Sequence, residues 1–386
     1  MKSGNASSAV HPFLAGMLRG SAPESLLPLA HGEPDWVEII GDAVAQGLVP
    51  LLYRWLKRSA MGGQVPAALA HRLEERFLGV AARNMLLAEE LRSILRAFEE
   101  RQLPCAPLRG LALAELLYGD ITARPMGDLD LLVHKADLPE VSAILLGLGF
   151  SEMDRRPGFA QAFYYTLKFF KERHGWIIVE PHWTLAYPPF ADRVDMGGVW
   201  KRCVRGRVVG VETWLLAPED LLFHLCLHLT HHNGAAPLLW LYELDRLLRE
   251  GRGKLDWPRV VTLAEHAKLG SFLVRALRTL EAQLATPIPQ GILDQFSEAP
   301  LRSIEGRLVR LLEASGVDGK ESLAVLFTLK GLRAKLRYAL ALLFPSREFM
   351  LLQYGLTRKS QLPLTYLRRF CYFVWQGFKG SAKLLR

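Results

Sequence analysis

Cysteine is scarce in this chain: four in 386 residues, at positions 105, 203, 226 and 371, with no Cys-x-x-Cys spacing among them. That excludes a zinc ribbon and a disulfide framework, and it fits a reducing cytoplasm. No run of 18 or more apolar residues occurs, so no segment reads as a membrane-spanning helix. The most apolar late stretch, Leu323 to Phe344, is interrupted by Lys330, Arg333, Lys335 and Arg337. Met1 to Val10 is small and polar, without the long apolar core of a secretory signal. No fixed-period repeat is present, which excludes a solenoid. Acidic residues are in deficit, 39 against 48 Lys and Arg, and the net charge of +9 favours anionic partners such as nucleotide, nucleic acid or acidic lipid. The expected location is the cytoplasm, at most peripheral to the inner membrane. With 50% hydrophobic residues, the chain can bury the cores of two or three packed units.

Against that basic background, Met126-Gly127-Asp128-Leu129-Asp130-Leu131-Leu132-Val133 places two carboxylates one residue apart in an apolar run. The branched and apolar residues predict a strand, in which Asp128 and Asp130 point to the same side. Neighbouring carboxylates repel and raise each other's pKa unless a cation lies between them. Mg²⁺, a hard ion that takes oxygen ligands and bridges phosphates, suits such a pair. Upstream, Pro107-Leu108-Arg109-Gly110 closes a short strand and opens a helix over Gly110 to Tyr118. A glycine there lets backbone N–H groups approach an anion. Downstream, Trp176-Ile177-Ile178-Val179-Glu180-Pro181-His182-Trp183 is a second strand bearing the lone acid Glu180. Three carboxylates from two strands beside a phosphate-cradling turn suit metal-assisted phosphoryl or nucleotidyl transfer.

These residues carry a resemblance. Leu108-Arg109-Gly110, Leu117-Tyr118-Gly119-Asp120, the run Arg124 to Val133, Gly147-Leu148-Gly149-Phe150 and Glu180-Pro181-His182-Trp183 resemble the uncharacterised nucleotidyltransferase family of bacteria. So do Pro218-Glu219-Asp220-Leu221-Leu222 with His228, Phe344-Pro345-Ser346 and Leu364-Thr365-Tyr366-Leu367-Arg368-Arg369. That family is a branch of the DNA polymerase β-like superfamily, often met near surface-polysaccharide or peptide-modification genes. The resemblance implies an α+β fold: a small mixed-sheet nucleotidyltransferase core with an N-terminal helical cap and a C-terminal helical bundle. It also implies Asp128, Asp130 and Glu180 as catalytic and metal-binding residues, with two Mg²⁺ ions or Mn²⁺ as cofactor. Arg109, Gly110, Arg124 and Lys168 would contact the nucleotide. The reaction implied moves a nucleoside monophosphate from an NTP to an acceptor: a small molecule, a glycan intermediate or a protein. The chain departs from the pattern at the superfamily's Gly-Ser turn, which is Gly110-Leu111 here, so the phosphate-contacting hydroxyl is missing. That departure supports the alternative, an inactive nucleotide- or partner-binding protein on the same fold.

The expected organisation is a loosely ordered N-terminus over 1–30, a helical cap over 31–102, the core over 103–216 and a helical domain over 217–386. In the cap, Asp35 to Lys57 and Ala67 to Glu100 read as helices. In the core, Ala162 to Phe170 and Trp176 to Glu180 read as a hairpin about Arg173-His174-Gly175, with two further strands between Arg205 and Leu216. Later helices are expected at Pro218–Thr230, Leu238–Arg249, Pro258–Lys268, Ser271–Leu284, Arg302–Ala314, Glu321–Phe344 and Pro363–Phe378.

Several side chains have two readings. Arg109 and Arg124 could hold phosphate, or pair with Glu115 or Asp120; Lys168 and Lys171 could reach a triphosphate. His182 shares a face with Glu180 if the strand continues through Pro181; if the chain bends there, it only packs on Trp183. His224 and His228, four apart, share a helix face as zinc ligands do, but no Glu follows His224 and the helix is otherwise apolar. They are expected, with His231 and His232, at the seam between the bundle and the core, with His228 reaching toward the site. From Glu321 onward, twelve Lys or Arg face only Glu321 and Glu348. With Tyr366, Phe370, Tyr372, Phe373, Trp375 and Phe378, these make Pro363 to Arg386 a basic aromatic helix. The simpler reading docks its aromatics into the bundle; the other lays it on an anionic membrane surface. No RNA- or DNA-binding motif is visible, so nucleic acid is not an expected partner.

Overall fold

In the computed structural model, which describes residues 11–26, 34–154, 156, 158–231, 236–250, 255–289, 291–295, 307–308, 311, 319–356 and 358–385, the aspartates lie on a five-stranded mixed sheet. Its strands are β1 (Cys105–Pro107), β2 (Asp128–Val133), β3 (Ser151–Glu152), β4 (Phe169–Glu172) and β5 (Trp176–His182), in the order β1-β2-β5-β4-β3. β2 and β5 run parallel, and every other pair is antiparallel. β6 (Val204–Val208) and β7 (Val211–Leu215) form a separate hairpin turning at Val209-Gly210.

Strand alternation divides the sheet into a covered and a working face. Leu129, Leu131 and Val133 of β2, with Ile177 and Val179 of β5, bury themselves against the long helix Ala67–Glu100. That helix contributes Leu87, Leu91, Ile94 and Phe98, each worth about 1.5–3 kcal/mol when fully buried. With the odd positions committed to this core, Asp128, Asp130, Glu180 and His182 emerge on the opposite face. The buried carboxylate Glu90 of the long helix accepts from Lys171 and Arg173, clamping β4 from behind. Lys171 therefore faces away from the acids, which corrects the expectation that it reaches phosphate. A second core joins Leu132 to the N-terminal helices and to the helices after residue 218.

Several elements differ from the sequence reading. The helix expected over Asp35 to Lys57 is two, Trp36–Ala45 and Val49–Arg58, because Gly47 takes φ +72° between them. A Cβ there would meet Leu239 at 3.3 Å, so glycine also permits this close approach. Pro12–Leu18, within the stretch expected to be loose, is a helix that buries Phe13 and Leu14. Ala162 and Phe163 belong to a short helix, Phe159–Phe163, and β4 begins at Phe169. The helix expected over Glu321 to Phe344 is broken at Gly331, giving Lys320–Thr328 and Leu332–Leu343. Most of the helix expected over Arg302 to Ala314 lies outside the described residues. Pro218–His231, Leu238–Glu250, Trp257–His266 and Gly270–Leu284 form close to their expected bounds, and the last helix, expected over Pro363–Phe378, continues to Leu385.

One buried polar residue ties the long helix to the loop before β2. Asn84, fully buried, donates from Nδ2 to the carbonyls of Ile121 at 2.6 Å and Arg124 at 2.7 Å. Asn84→Ala leaves both carbonyls without their donor and should destabilise the fold by about 2–3 kcal/mol in denaturant titration. A change below about 0.5 kcal/mol would mean that other contacts hold this loop.

Candidate active site

The β2–β5 register sets Asp130 beside Glu180 and Leu132 beside His182. β5 continues through Pro181, whose carbonyl accepts from the Leu167 N–H at 3.0 Å, so the chain does not turn away before His182. The ligand atoms of Asp130, Glu180 and His182 all lie within 4.8 Å of one another, and all three side chains are buried. His182 Nε2 stands 3.0 Å from Asp130 Oδ1 and 4.0 Å from Glu180 Oε2. An ionised carboxylate can only accept, so His182 donates to Asp130 through Nε2. Asp128, on the same side of β2, lines the same cleft of about 470 Å³.

Two cations from different segments answer these acids. Arg109, at the end of β1, donates to Asp130 and contacts His228 Nε2. Burial opposes the Asp130 charge, but Arg109 and the His182 hydrogen bond outweigh it and hold the carboxyl well below its usual range. Lys168, just before β4, places Nζ 2.6 Å from Glu180 Oε1. Among the described residues Asp128 makes no ion pair of this kind, and the more distant charges of Arg109 and Lys168 offset its burial only in part. Burial, and then Asp130 beside it, push its carboxyl up to about 6. Asp128 is therefore the acid most in need of a cation, and two carboxylates with a third nearby fit a hard divalent ion.

Gly110 opens the cleft wall with φ +56° and ψ −117°, a conformation closed to residues with a Cβ. Its missing side chain leaves backbone uncovered beside Met126 and the Asp128 carbonyl. Leu111, where the hydroxyl would be, is buried in the covered core. Arg124 also lines the cleft, but its Nε lies 2.5 Å from the buried Glu243, so its charge is largely balanced inside the protein. Neither arginine takes the partners considered from sequence: Asp120 pairs with Arg54, and Glu115 accepts from the Val209 N–H.

His224 and His228 of Pro218–His231 reach this cleft, although they are not in the converging acid group. His228 packs on Trp240, ring centroids 4.3 Å apart, and lines the wall with Arg109. His224 donates from Nδ1 to the Leu185 carbonyl at 3.1 Å. That leaves its Nε2 as a buried lone pair with no partner among the described residues. Burial first, and the Arg109 charge second, push its pKa down to about 3, so the ring is neutral. His232 lies outside the described residues. Sequence reasoning missed Tyr164, Tyr165, Tyr187, Trp240 and Glu321, which also line the cleft. The Tyr-Tyr pair beside Lys168 was a weak signal; nothing local marked Trp240 or Glu321.

Asp128 generates a signed prediction. A carboxyl whose folded pKa is raised costs stability above that pKa, and the cost fades as pH falls from about 6 toward the unfolded value near 4. Without added divalent ion at pH 7.5, Asp128→Asn should be more stable than wild type by about 1–2 kcal/mol, after allowance for screening. The gap should close by about pH 4.5. Thermal melts across that range check it, and a variant less stable at pH 7.5 would show that Asp128 is not in excess.

The model of a family described as uncharacterised nucleotidyltransferase matches residues 32–285. No curated protein matches the chain. Solved structures similar at low identity include these three. The crystal structure of ANT(2")-Ia with adenylyl-2"-tobramycin is 20% identical, with a TM-score of 0.32 over 47% of this chain and 96% of that one. The solution structure of the antibiotic-resistance factor ANT(2'')-Ia is 20% identical, with a TM-score of 0.33 over 52% and 96%. An antigenic nucleotidyltransferase-like protein from Paracoccidioides brasiliensis is 15% identical, with a TM-score of 0.35 over 54% and 97%. Because the family match runs from the N-terminal helices through the sheet and into the helices that supply His224 and His228, the chain belongs to the uncharacterised nucleotidyltransferase family.

Proposed function

We propose that the cleft transfers a nucleoside monophosphate from an NTP to a hydroxyl-bearing acceptor, with help from a divalent cation. The observation that carries this reading is the meeting of Asp130 and Glu180 across two parallel strands, with Asp128 on the same face. Asp128, Asp130 and Glu180 would hold Mg²⁺ or Mn²⁺, which would supply charge neutralisation for the phosphate. His182, through its hydrogen bond, orients Asp130. Gly110 and Arg109 take the phosphates, and Lys168, about half exposed at the rim, adds positive charge there. Tyr164, Tyr165 and Trp240 offer flat surfaces for a base or an acceptor ring.

In the reaction, an acceptor oxygen attacks the α-phosphorus, the bond to the bridging oxygen breaks and pyrophosphate leaves. The acceptor's proton passes to Glu180. The sheet core over 103–216 carries the transfer residues, and the helical domain from 217 onward supplies much of the acceptor side through Trp240, His224 and Glu321. The acceptor is a small molecule, a glycan intermediate or a protein.

A second reading has its own support. Arg109 and Lys168 already pair with two of the acids, and Leu111 withdraws the usual hydroxyl, as a nucleotide-binding protein without turnover would allow. Transfer of label from α-phosphate-labelled NTPs to a lysate acceptor separates the two. The enzyme requires Mg²⁺ or Mn²⁺ and loses about 10³-fold or more in Asp130→Ala. NTP binding that is equally tight without divalent ion, and unchanged in both Asp128→Ala and Asp130→Ala by calorimetry, would favour the inactive reading.

A further inference from the structure

We infer that helices Leu332–Leu343 and Leu362–Leu385 together form a docking face for an anionic lipid bilayer. On the first helix Leu332, Leu336 and Leu340, with Phe344 just past its end, recur every fourth residue and are all exposed, Leu332 by 83%. Residues at that spacing form one stripe along the helix. On the second helix Leu364, Leu367, Val374, Trp375 and Phe378 are exposed, Trp375 by 60% and Phe378 by 70%, with the exposed Cys371 between them. These positions also share one side.

The opposite side of that second helix is the one that docks. Leu362, Thr365, Arg369 and Gln376 are buried. Arg369 donates to the Leu342 carbonyl from Nε at 3.0 Å and from Nη2 at 2.8 Å, joining the two helices. The sequence expectation that the aromatics enter the bundle is therefore corrected in part: Tyr366 donates to the Pro345 carbonyl at 2.6 Å and Phe373 packs on the buried Arg369, whereas Phe370, Tyr372, Trp375 and Phe378 stay outside. A helix with one buried face and a second, water-facing apolar face has an unpartnered surface.

Charge selects the occupant. Residues 321–386 hold twelve Lys or Arg and two acids, a surplus larger than the whole chain's +9. Arg333, Lys335 and Arg337 flank the first stripe; Arg368 and Lys379 flank the second, with Lys379 Nζ 5.4 Å from the Trp375 ring centre. A second copy of this chain would bring like charge against like charge across a two-fold contact. Nucleic acid would leave the apolar stripes in water. An anionic bilayer accepts both features, the stripes entering the acyl boundary and the cations meeting headgroups. No helix among the described residues is long and apolar enough to cross a membrane, so the chain would lie on the surface.

The face adjoins the cleft. Tyr338 of the first helix and Val325 of Lys320–Thr328 pack on Phe159, and Glu321 at the start of Lys320–Thr328 lines the cleft. A bilayer on this face would bring membrane-held acceptors beside the acids. That consequence rests on the transferase reading; the docking does not.

Flotation of the full chain with vesicles of phosphatidylcholine alone, or with about a third phosphatidylglycerol, tests the docking. The expected result is binding at least tenfold tighter to the anionic vesicles, weakening as salt rises. Leu336→Ser/Trp375→Ser/Phe378→Ser should lose it at least tenfold with an unchanged melting temperature and unchanged NTP binding. Arg333→Glu/Lys379→Glu should lower anionic binding to the level of neutral vesicles. No flotation, or equal flotation on both vesicles, would overturn the proposal. So would a concentration-dependent dimer in sedimentation that the triple substitution abolishes.

Discussion

Acids of like charge on neighbouring parallel strands stay together only if the surrounding structure supplies positive charge, and much of this molecule's architecture does that. Arg109 comes from the end of β1, Lys168 from the approach to β4, and the His182 N–H from β5 itself. Each arrives from a different piece of chain, so the acid cluster reports on the whole sheet's register. A slip of one residue between β2 and β5 would move Glu180 and His182 to the covered face. The two-faced core prevents this, because Ile177 and Val179 are already committed to the helix Ala67–Glu100.

The cleft is a composite. The sheet supplies charge and the glycine turn, while the far wall comes from helices distant in sequence. Pro218–His231 is anchored by Asp220, fully buried, which accepts from Arg202 through two hydrogen bonds of 2.8 Å. That anchor places His224 and His228 over Arg109. Glu243, from the next helix, takes up Arg124. The result is a site with fixed donors on one side and a neutral histidine lone pair on the other. Such asymmetry suits a reaction in which anionic phosphates and a hydroxyl must lie side by side. The apolar helices beyond Glu321 add a third contribution, a basic flank that would orient the cleft toward a surface.

Much of the sheet face was legible because strand periodicity is a local property. Asp128 and Asp130, and Glu180 and His182, share a face for the same period-two reason, and a proline in β5 did not undo it. Other elements were misread where tertiary contact overrides propensity. Gly47 breaks what reads as one helix over Asp35 to Lys57, because it takes φ +72° where Leu239 approaches it. Lys168 and Lys171 look alike in sequence but fall on opposite faces, one on Glu180 and one on Glu90. The tail's aromatics suggested burial by composition, yet the helix turned only Tyr366 and Phe373 inward and left Phe370, Tyr372, Trp375 and Phe378 outside.

The amino-acid order by itself determined which residues alternate, where glycine is required and how basic the C-terminal helices are, because these follow from backbone geometry and residue chemistry within a few positions. Only the tertiary structure decided which cation meets which acid, which histidine keeps a lone pair open and which helix face remains in water. Those outcomes depend on segments brought together from across the chain, and on the competition among them for one another's charges and apolar surface.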